Sequence, residues 1–181
     1  MLINERNERM EAVIQATRQM MTAARTAPKG KGVDIIEIIT LTGDDKQELA
    51  EFMREEAERV GLKFFLRDAN NVESSDAVVL IGTKVKAQSL NCGYCGYPDC
   101  ATMQTNPDAS CSLNQVDLGI AIGSAVATAA DLRLDSRVMF SAGISALKKG
   151  LMPDCHSVYA IPVSVSSKSP FFDRVSPQPP K

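Results

Sequence analysis

The chain has no block of Lys or Arg, no apolar run of membrane length and a single histidine. Each absence closes off a class of function. With a net charge of -2 and no basic patch in sequence, there is no electrostatic case for binding nucleic acid. The longest charge-free run outside the cysteine region, Leu118 to Ala130, has thirteen residues and includes Gly, Ser and Thr. That falls short of the ~20 apolar residues needed to span a bilayer, so no membrane is expected. The amino terminus, Met1-Leu-Ile-Asn-Glu-Arg, lacks the basic segment and apolar stretch of a secretory signal, and the expected location is the cytoplasm. No serine–histidine arrangement, phosphate-binding glycine loop or carboxylate pair stands out, which leaves hydrolase and kinase chemistry without support.

What is present is an ordinary globular composition, 44% hydrophobic and 23% charged, over 181 residues, enough for one domain with a full core. The domain is expected to run over 1–181, with a cluster-binding loop at 91–112 and a C-terminal arm at 166–181. Five cysteines are an odd number, and in a reducing compartment they argue against a disulfide framework and for metal or redox chemistry.

Apolar positions at Met10, Val13, Ile14, Met20, Met21 and Ala24 predict an amphipathic helix ending near Ala27-Pro28. Lys29 to Gly32 reads as a turn, and Val33 to Leu41 as a strand. Asp44 with Gln47 resembles a capping box before a second helix, whose apolar face is Leu49, Phe52, Met53 and Val60 and whose C-terminal cap is Gly61. Phe64 to Leu66 and Ala77 to Ile81 read as strands separated by a polar stretch. Helices are expected over Asp117–Leu132 and Val138–Lys149, then a strand over Val158–Val165 that Pro162 weakens or places at an edge. The fold class is α+β, a central mixed sheet flanked by helices.

Four cysteines fall within twenty residues: Cys92, Cys95, Cys100 and Cys111, with two, four and ten residues between them. A cubane cluster needs one thiolate per iron, commonly three from a tight loop and one from farther away, and this spacing supplies that arrangement. Gly93 and Gly96 let the backbone fold closely and aim N–H groups at cluster sulfurs. Tyr94, Tyr97 and Pro98 can shield it. Structural zinc is the competing reading, but zinc sites favour two separated Cys-x-x-Cys knuckles and only one exists here. The expected cofactor is one 4Fe-4S cluster on Cys92, Cys95, Cys100 and Cys111. Because no Lys or Arg occurs from Ala87 to Asp131, a low-potential centre is expected.

Asn-Cys-Gly-Tyr-Cys-Gly-Tyr at 91–97, Asp-Leu-Gly-Ile-Ala-Ile-Gly-Ser-Ala-Val at 117–126 and Lys-Ser-Pro-Phe-Phe-Asp-Arg at 168–174 together resemble a prokaryotic family of ferredoxin-domain proteins. The first segment also resembles the Cys-Gly-x-Cys-Gly-x-x-x-Cys loop of cluster domains in corrinoid iron–sulfur proteins and membrane electron-transport complexes, with a shorter gap to the fourth cysteine. A weaker similarity, through Thr22–Pro28, Ala77–Ile81 and the Gly/Ala-rich helix, is to nitroreductase-like flavoproteins. That resemblance implies a sheet between helices, a homodimer and a flavin. The Arg-Ser-x-Arg element that holds the flavin phosphate in those proteins is replaced here by Asn4-Glu-Arg-Asn-Glu-Arg9. Bound FMN is therefore possible but not expected, with Lys168 and Arg174 as the obvious substitute donors and Arg25 or Lys29 in an assisting place.

The remaining residues weigh toward structural roles. Gly119 and Gly123, beside Ala121, Ala125 and Ala129, suit close helix packing. His156 could donate a proton or replace a ligand, though a lone loop histidine is more often structural, and Cys155 reads as a bystander. Phe171-Phe172 should dock the arm. The small-residue helix and the arm suggest more apolar surface than one domain buries, hence a homodimer. The expected role is electron transfer with a redox partner protein. Alternatives are a flavin reductase with an accessory cluster, or a structural cluster or zinc module.

Overall fold

The computed structural model describes residues 1–172. Those residues form six α-helices and four strands in the order α1 (Glu5–Thr26), β1 (Ile36–Leu41), α2 (Gly43–Val60), α3 (Lys63–Ser74), β2 (Ala77–Lys84), α4 (Cys100–Gln104), α5 (Ser112–Asp131), β3 (Asp135–Ser136), α6 (Phe140–Lys148) and β4 (Cys155–Ser164). The sheet order is β1-β2-β4-β3. The α+β class holds, and within it the expected mixed sheet is antiparallel at every pair.

β2 is buried almost throughout, and its alternating residues serve two cores. Ala77, Val79 and Ile81 join Ile161 and Val163 of β4 against α1 and α5, through Val13, Met20, Leu118, Ala121 and Ala125. Val78 and Leu80 join Val158 and Ala160 on the opposite face, against Leu49 and Met53 of α2, Val72 of α3 and Ala142 of α6. The sheet thus lies between two helical layers.

α1 starts earlier than its apolar pattern suggests, because Asn4 caps it by accepting from the Arg6 N–H and Glu5 and Glu8 complement the positive end of the helix. The expected capping box of α2 is not formed. Thr42 is the cap residue and makes no side-chain cap bond, while Gln47 reaches toward the Glu73 carbonyl at 3.5 Å. Gly61 does close α2 in the left-handed region, at φ 69. The expected strand at Phe64–Leu66 is the first turn of α3: Phe65, Ala69 and Val72 are buried at helical spacing, and of the polar residues that read as a loop Asn70, Glu73 and Ser74 face solvent while Asp68 and Asn71 are buried.

Pro162 sits in an interior strand, paired with Val78. Ala160 exchanges N–H···O bonds with Met139, and the Arg137 N–H donates to the Pro162 carbonyl, so the side of residue 162 that lacks an N–H faces the short β3 flank. The ladder to β2 is untouched. At the other end of β4, Cys155 pairs with Lys84 and Ser157 with Thr83, leaving His156 as the extra residue of a β-bulge.

α6 lies close on β4 because position 143 is glycine: a Cβ there would stand 2.0 Å from the Val158 carbonyl oxygen. The arm docks by one of its two rings. Phe171 is buried in the second core and accepts through its carbonyl from Arg137, whose guanidinium lies 5.4 Å from the exposed Phe172 ring. Residue Arg174 lies outside the described residues.

Candidate metal centre

The loop between β2 and α5 carries the cysteines. Gly93 and Gly96 adopt φ 72 and 82, and the Gly96 N–H donates to the Gly93 carbonyl at 2.9 Å, folding the Cys-Gly-Tyr-Cys-Gly segment into a turn. Asn91, at φ 47, closes the loop. Its Oδ1 accepts from the Cys100 N–H at 2.9 Å, and its own N–H donates to Cys100 Sγ at 3.3 Å. Asn tolerates the left-handed region better than most residues and has a side chain short enough to reach back, which is why this residue type suits position 91.

Cys100 opens α4 behind the cap Asp99, and Cys111 is the cap residue of α5. Cys95, Cys100 and Cys111 are brought together in one apolar cluster with Ala87, Met103, Tyr97, Ala109 and Leu113, in which Cys111 is buried. Cys92 is exposed and lies outside that cluster. Among the described residues, no group of three or more His, Cys, Asp and Glu side chains is placed to hold a metal ion. The donor set itself suits iron and sulfide. The cysteines are free thiols, three sit in an apolar setting, and the Asn91 N–H already donates to a cysteine sulfur as cluster-binding loops do. Cys92, Cys95, Cys100 and Cys111 are the residues that would hold such a group.

Cys155 belongs to a different environment. It packs with the α2–α6 core, and burial, with the Glu37 carboxylate nearby, pushes its thiol up to about 11. His156, turned out by the bulge, contacts the Asp108 carbonyl through Nε2 and Ser157 Oγ through Nδ1, both at 3.2 Å. It lines a cavity together with Lys84, Lys86 and Cys111. The expectation of a low-potential centre rests on a cation-free stretch of sequence, and the fold brings Lys84 and Lys86 from outside that stretch to the cavity that Cys111 lines.

α5 is positioned by Asp117, whose carboxylate accepts from the Gly30 N–H and from Gln88 Nε2. Lys31 Nζ donates to the Gln88 carbonyl, so the turn after α1 and the entry to the cysteine loop are held on one helix. Two donors considered for a flavin phosphate are engaged inside the fold. Arg25 pairs with Asp34 and the Ile36 carbonyl, and Lys29 closes the end of α1 on the carbonyls of Ala24 and Ala27. Gly119 and Gly123, expected in the core, face outward with open space around them, while Ala121, Ala125 and Ala129 are buried. Residues two apart on a helix lie on nearly opposite faces, so the two sets could not share one packing surface.

The architecture is that of nitroreductases. Nitroreductase A from Vibrio parahaemolyticus aligns over 92% of this chain with a TM-score of 0.54 and 15% identity, and the chain spans 63% of that protein's length. A putative nitroreductase in complex with FMN from Desulfovibrio desulfuricans aligns over 91% of this chain and 79% of its own, with a TM-score of 0.55 and 14% identity. No helix among the described residues is long and apolar enough to cross a membrane. In sequence, an Archaeoglobus fulgidus protein is 41% identical over 96% of this chain and 98% of its own. Residues 107–174 match a family described as "uncharacterized protein containing a ferredoxin domain" (DUF2148), a stretch that includes Cys111 but not Cys92, Cys95 or Cys100. With near end-to-end similarity on one side and the matched C-terminal stretch on the other, the chain belongs to this family of ferredoxin-domain proteins.

Proposed function

We propose that the protein is an iron–sulfur electron carrier that binds one 4Fe-4S cluster on Cys92, Cys95, Cys100 and Cys111 and exchanges single electrons with a partner protein. The observation that carries this reading is the gathering of Cys95, Cys100 and Cys111 into one apolar cluster, at a loop whose glycines and Asn91 fold it tightly. The family description supports it. When bound, the cluster supplies one-electron chemistry. The chain's own residues shield it through Met103 and Tyr97 and leave the Cys92–Tyr94 side of the loop exposed to a partner. Anaerobic reconstitution with iron and sulfide tests the reading. About four irons per chain and a broad absorbance shoulder near ~400 nm are expected. A colourless protein holding one zinc would replace it with the structural-zinc reading.

The second reading is a flavin reductase in which the cluster feeds a bound flavin, favoured by the nitroreductase-like fold. Titration with oxidised FMN, followed by fluorescence quenching, separates the two. We expect no saturation at micromolar flavin, and tight binding lost in Arg174→Ala would put the reductase first.

We also place a homodimer in this proposal. Val116 and Ile120 stand exposed beside Gly119 and Gly123 on the outer face of α5, an apolar strip with room for a close approach by a second copy. The reducing setting that free thiols require fits a cytoplasmic protein.

A further inference from the structure

Beside the cysteine loop lies a cavity of about 150 Å³, roughly the liquid volume of five water molecules. Its walls come from four places: the end of β2 and the residues after it (Lys84–Ala87), the segment from Met103 to Ser110, the start of α5 and the bulge residue His156. Of the four cysteines only Cys111 lines it, so the space is distinct from the centre of the apolar cysteine cluster.

Three observations define what would fit. First, Asn114 lines the cavity and is only 2% exposed, and its amide is half satisfied. Nδ2 donates to the Lys86 carbonyl, while the buried Oδ1 has no hydrogen-bond partner. A buried acceptor without a donor is costly, and a ligand N–H or O–H at the cavity floor removes that cost. Secondly, the electrostatics are one-sided. Lys84, Lys86 and His156 line the space, and no Asp or Glu among the described residues does. α5, twenty residues long, begins there, its cap Cys111 makes no side-chain cap bond and its first turn holds no acid, so its positive end is uncompensated. Lys84 is already paired with Glu37, which leaves Lys86 as the exposed cation at the rim. Thirdly, Val85, Ala87, Met103 and Ala109 give apolar wall for a short carbon skeleton.

We propose that this cavity binds a small carboxylate that carries a hydroxyl or amino donor, the carboxylate toward Lys86 and the start of α5 and the donor toward Asn114 Oδ1. Four to six carbon and heteroatom positions fill the available volume, which makes the ligand the size of a simple hydroxy or amino acid and far smaller than a flavin. The site goes beyond the electron-transfer reading and does not require it.

Calorimetric titration of the full-length, anaerobically purified protein with L-lactate and with propionate tests the proposal, because the two probes share charge and skeleton and differ in the hydroxyl. We expect lactate to bind about tenfold more tightly, the scale of one buried acceptor gaining its donor. Asn114→Leu should abolish that preference. Lys86→Gln, on an exposed side chain that the fold does not depend on, should weaken both probes several-fold. Equal affinity for the two probes, unchanged binding in Lys86→Gln, or no saturable heat with lactate up to about 10 mM would overturn the site and leave Asn114 satisfied by water alone. Iron content measured on the same samples reports separately on the cluster, so the two proposals fail independently.

Discussion

The backbone N–H of Gly30 donates to both carboxylate oxygens of Asp117, at 3.0 and 2.9 Å, across 87 residues of chain. Gln88 joins the same carboxylate, so one buried acid ties the end of α1 and the entry to the cysteine loop onto α5. Asp117→Asn keeps the shape and loses acceptor capacity facing two donors. The expected cost is about 1–3 kcal/mol of stability, read from the urea midpoint. A midpoint equal to that of the unmodified protein would show that the turn is held by something else.

Serine replacement of the cysteines one at a time, with iron and sulfide counted after anaerobic reconstitution, should separate them into two groups. Each of Cys92, Cys95, Cys100 and Cys111 is expected to lower cluster content sharply, and Cys155→Ser to leave it unchanged. Retained iron in Cys111→Ser with loss in Cys155→Ser would reverse the assignment.

Light scattering should give twice the chain mass for the intact protein. Ile120→Lys places a charge on the exposed face of α5 without touching either core, and we expect it to yield a monomer that unfolds at a similar denaturant concentration. A monomer before the substitution removes the argument.

Glu56 of α2 accepts from Arg59 and from Lys148 of α6, and these hydrogen bonds hold its carboxyl at about 2 against an ordinary 4.5. A lowered carboxyl stabilises the fold fully above the ordinary value, and that contribution is lost as pH falls from 4.5 toward 2. The cationic partners are largely exposed, so the contribution is on the order of 1 kcal/mol. Glu56→Gln should therefore be less stable at pH 7 and indistinguishable near pH 2, as measured by chemical unfolding at the two pH values. A difference that persists unchanged in acid would assign the loss to packing.

The parts of this fold legible in sequence are those set by local pattern. The helix of Met20 and Val13, the buried strand at Ala77–Ile81, the glycine cap at 61 and the cysteine spacing all follow from neighbours within a few residues. The start of α3 is not legible locally, because Phe64-Phe65-Leu66 has strand character in isolation, and only Ala69 and Val72 beyond it reveal the helical period. The outward placement of Gly119 and Gly123 is not legible either, because small-residue composition does not fix helix phase. The lining of the cavity is not legible in the linear sequence, since the Lys84–Cys155 pairing of β2 with β4 sets His156 beside Lys84, Lys86 and Cys111 across long stretches of chain.

The bulge at His156 also decides which thiols can meet. Cα pairing places Cys155 opposite Lys84 and Ser157 opposite Thr83, so one surplus residue reverses the parity of everything before it in β4. In a regular ladder His156 would pair with Lys84, and position 155 would turn from the α2–α6 layer toward the layer of α5, the helix that Cys111 caps. As folded, an oxidant that enters the cysteine loop finds its partner sulfurs among Cys92, Cys95, Cys100 and Cys111, while Cys155 stays sequestered behind the sheet as an un-ionised thiol. A one-residue irregularity thereby keeps the fifth cysteine out of the redox inventory of the other four.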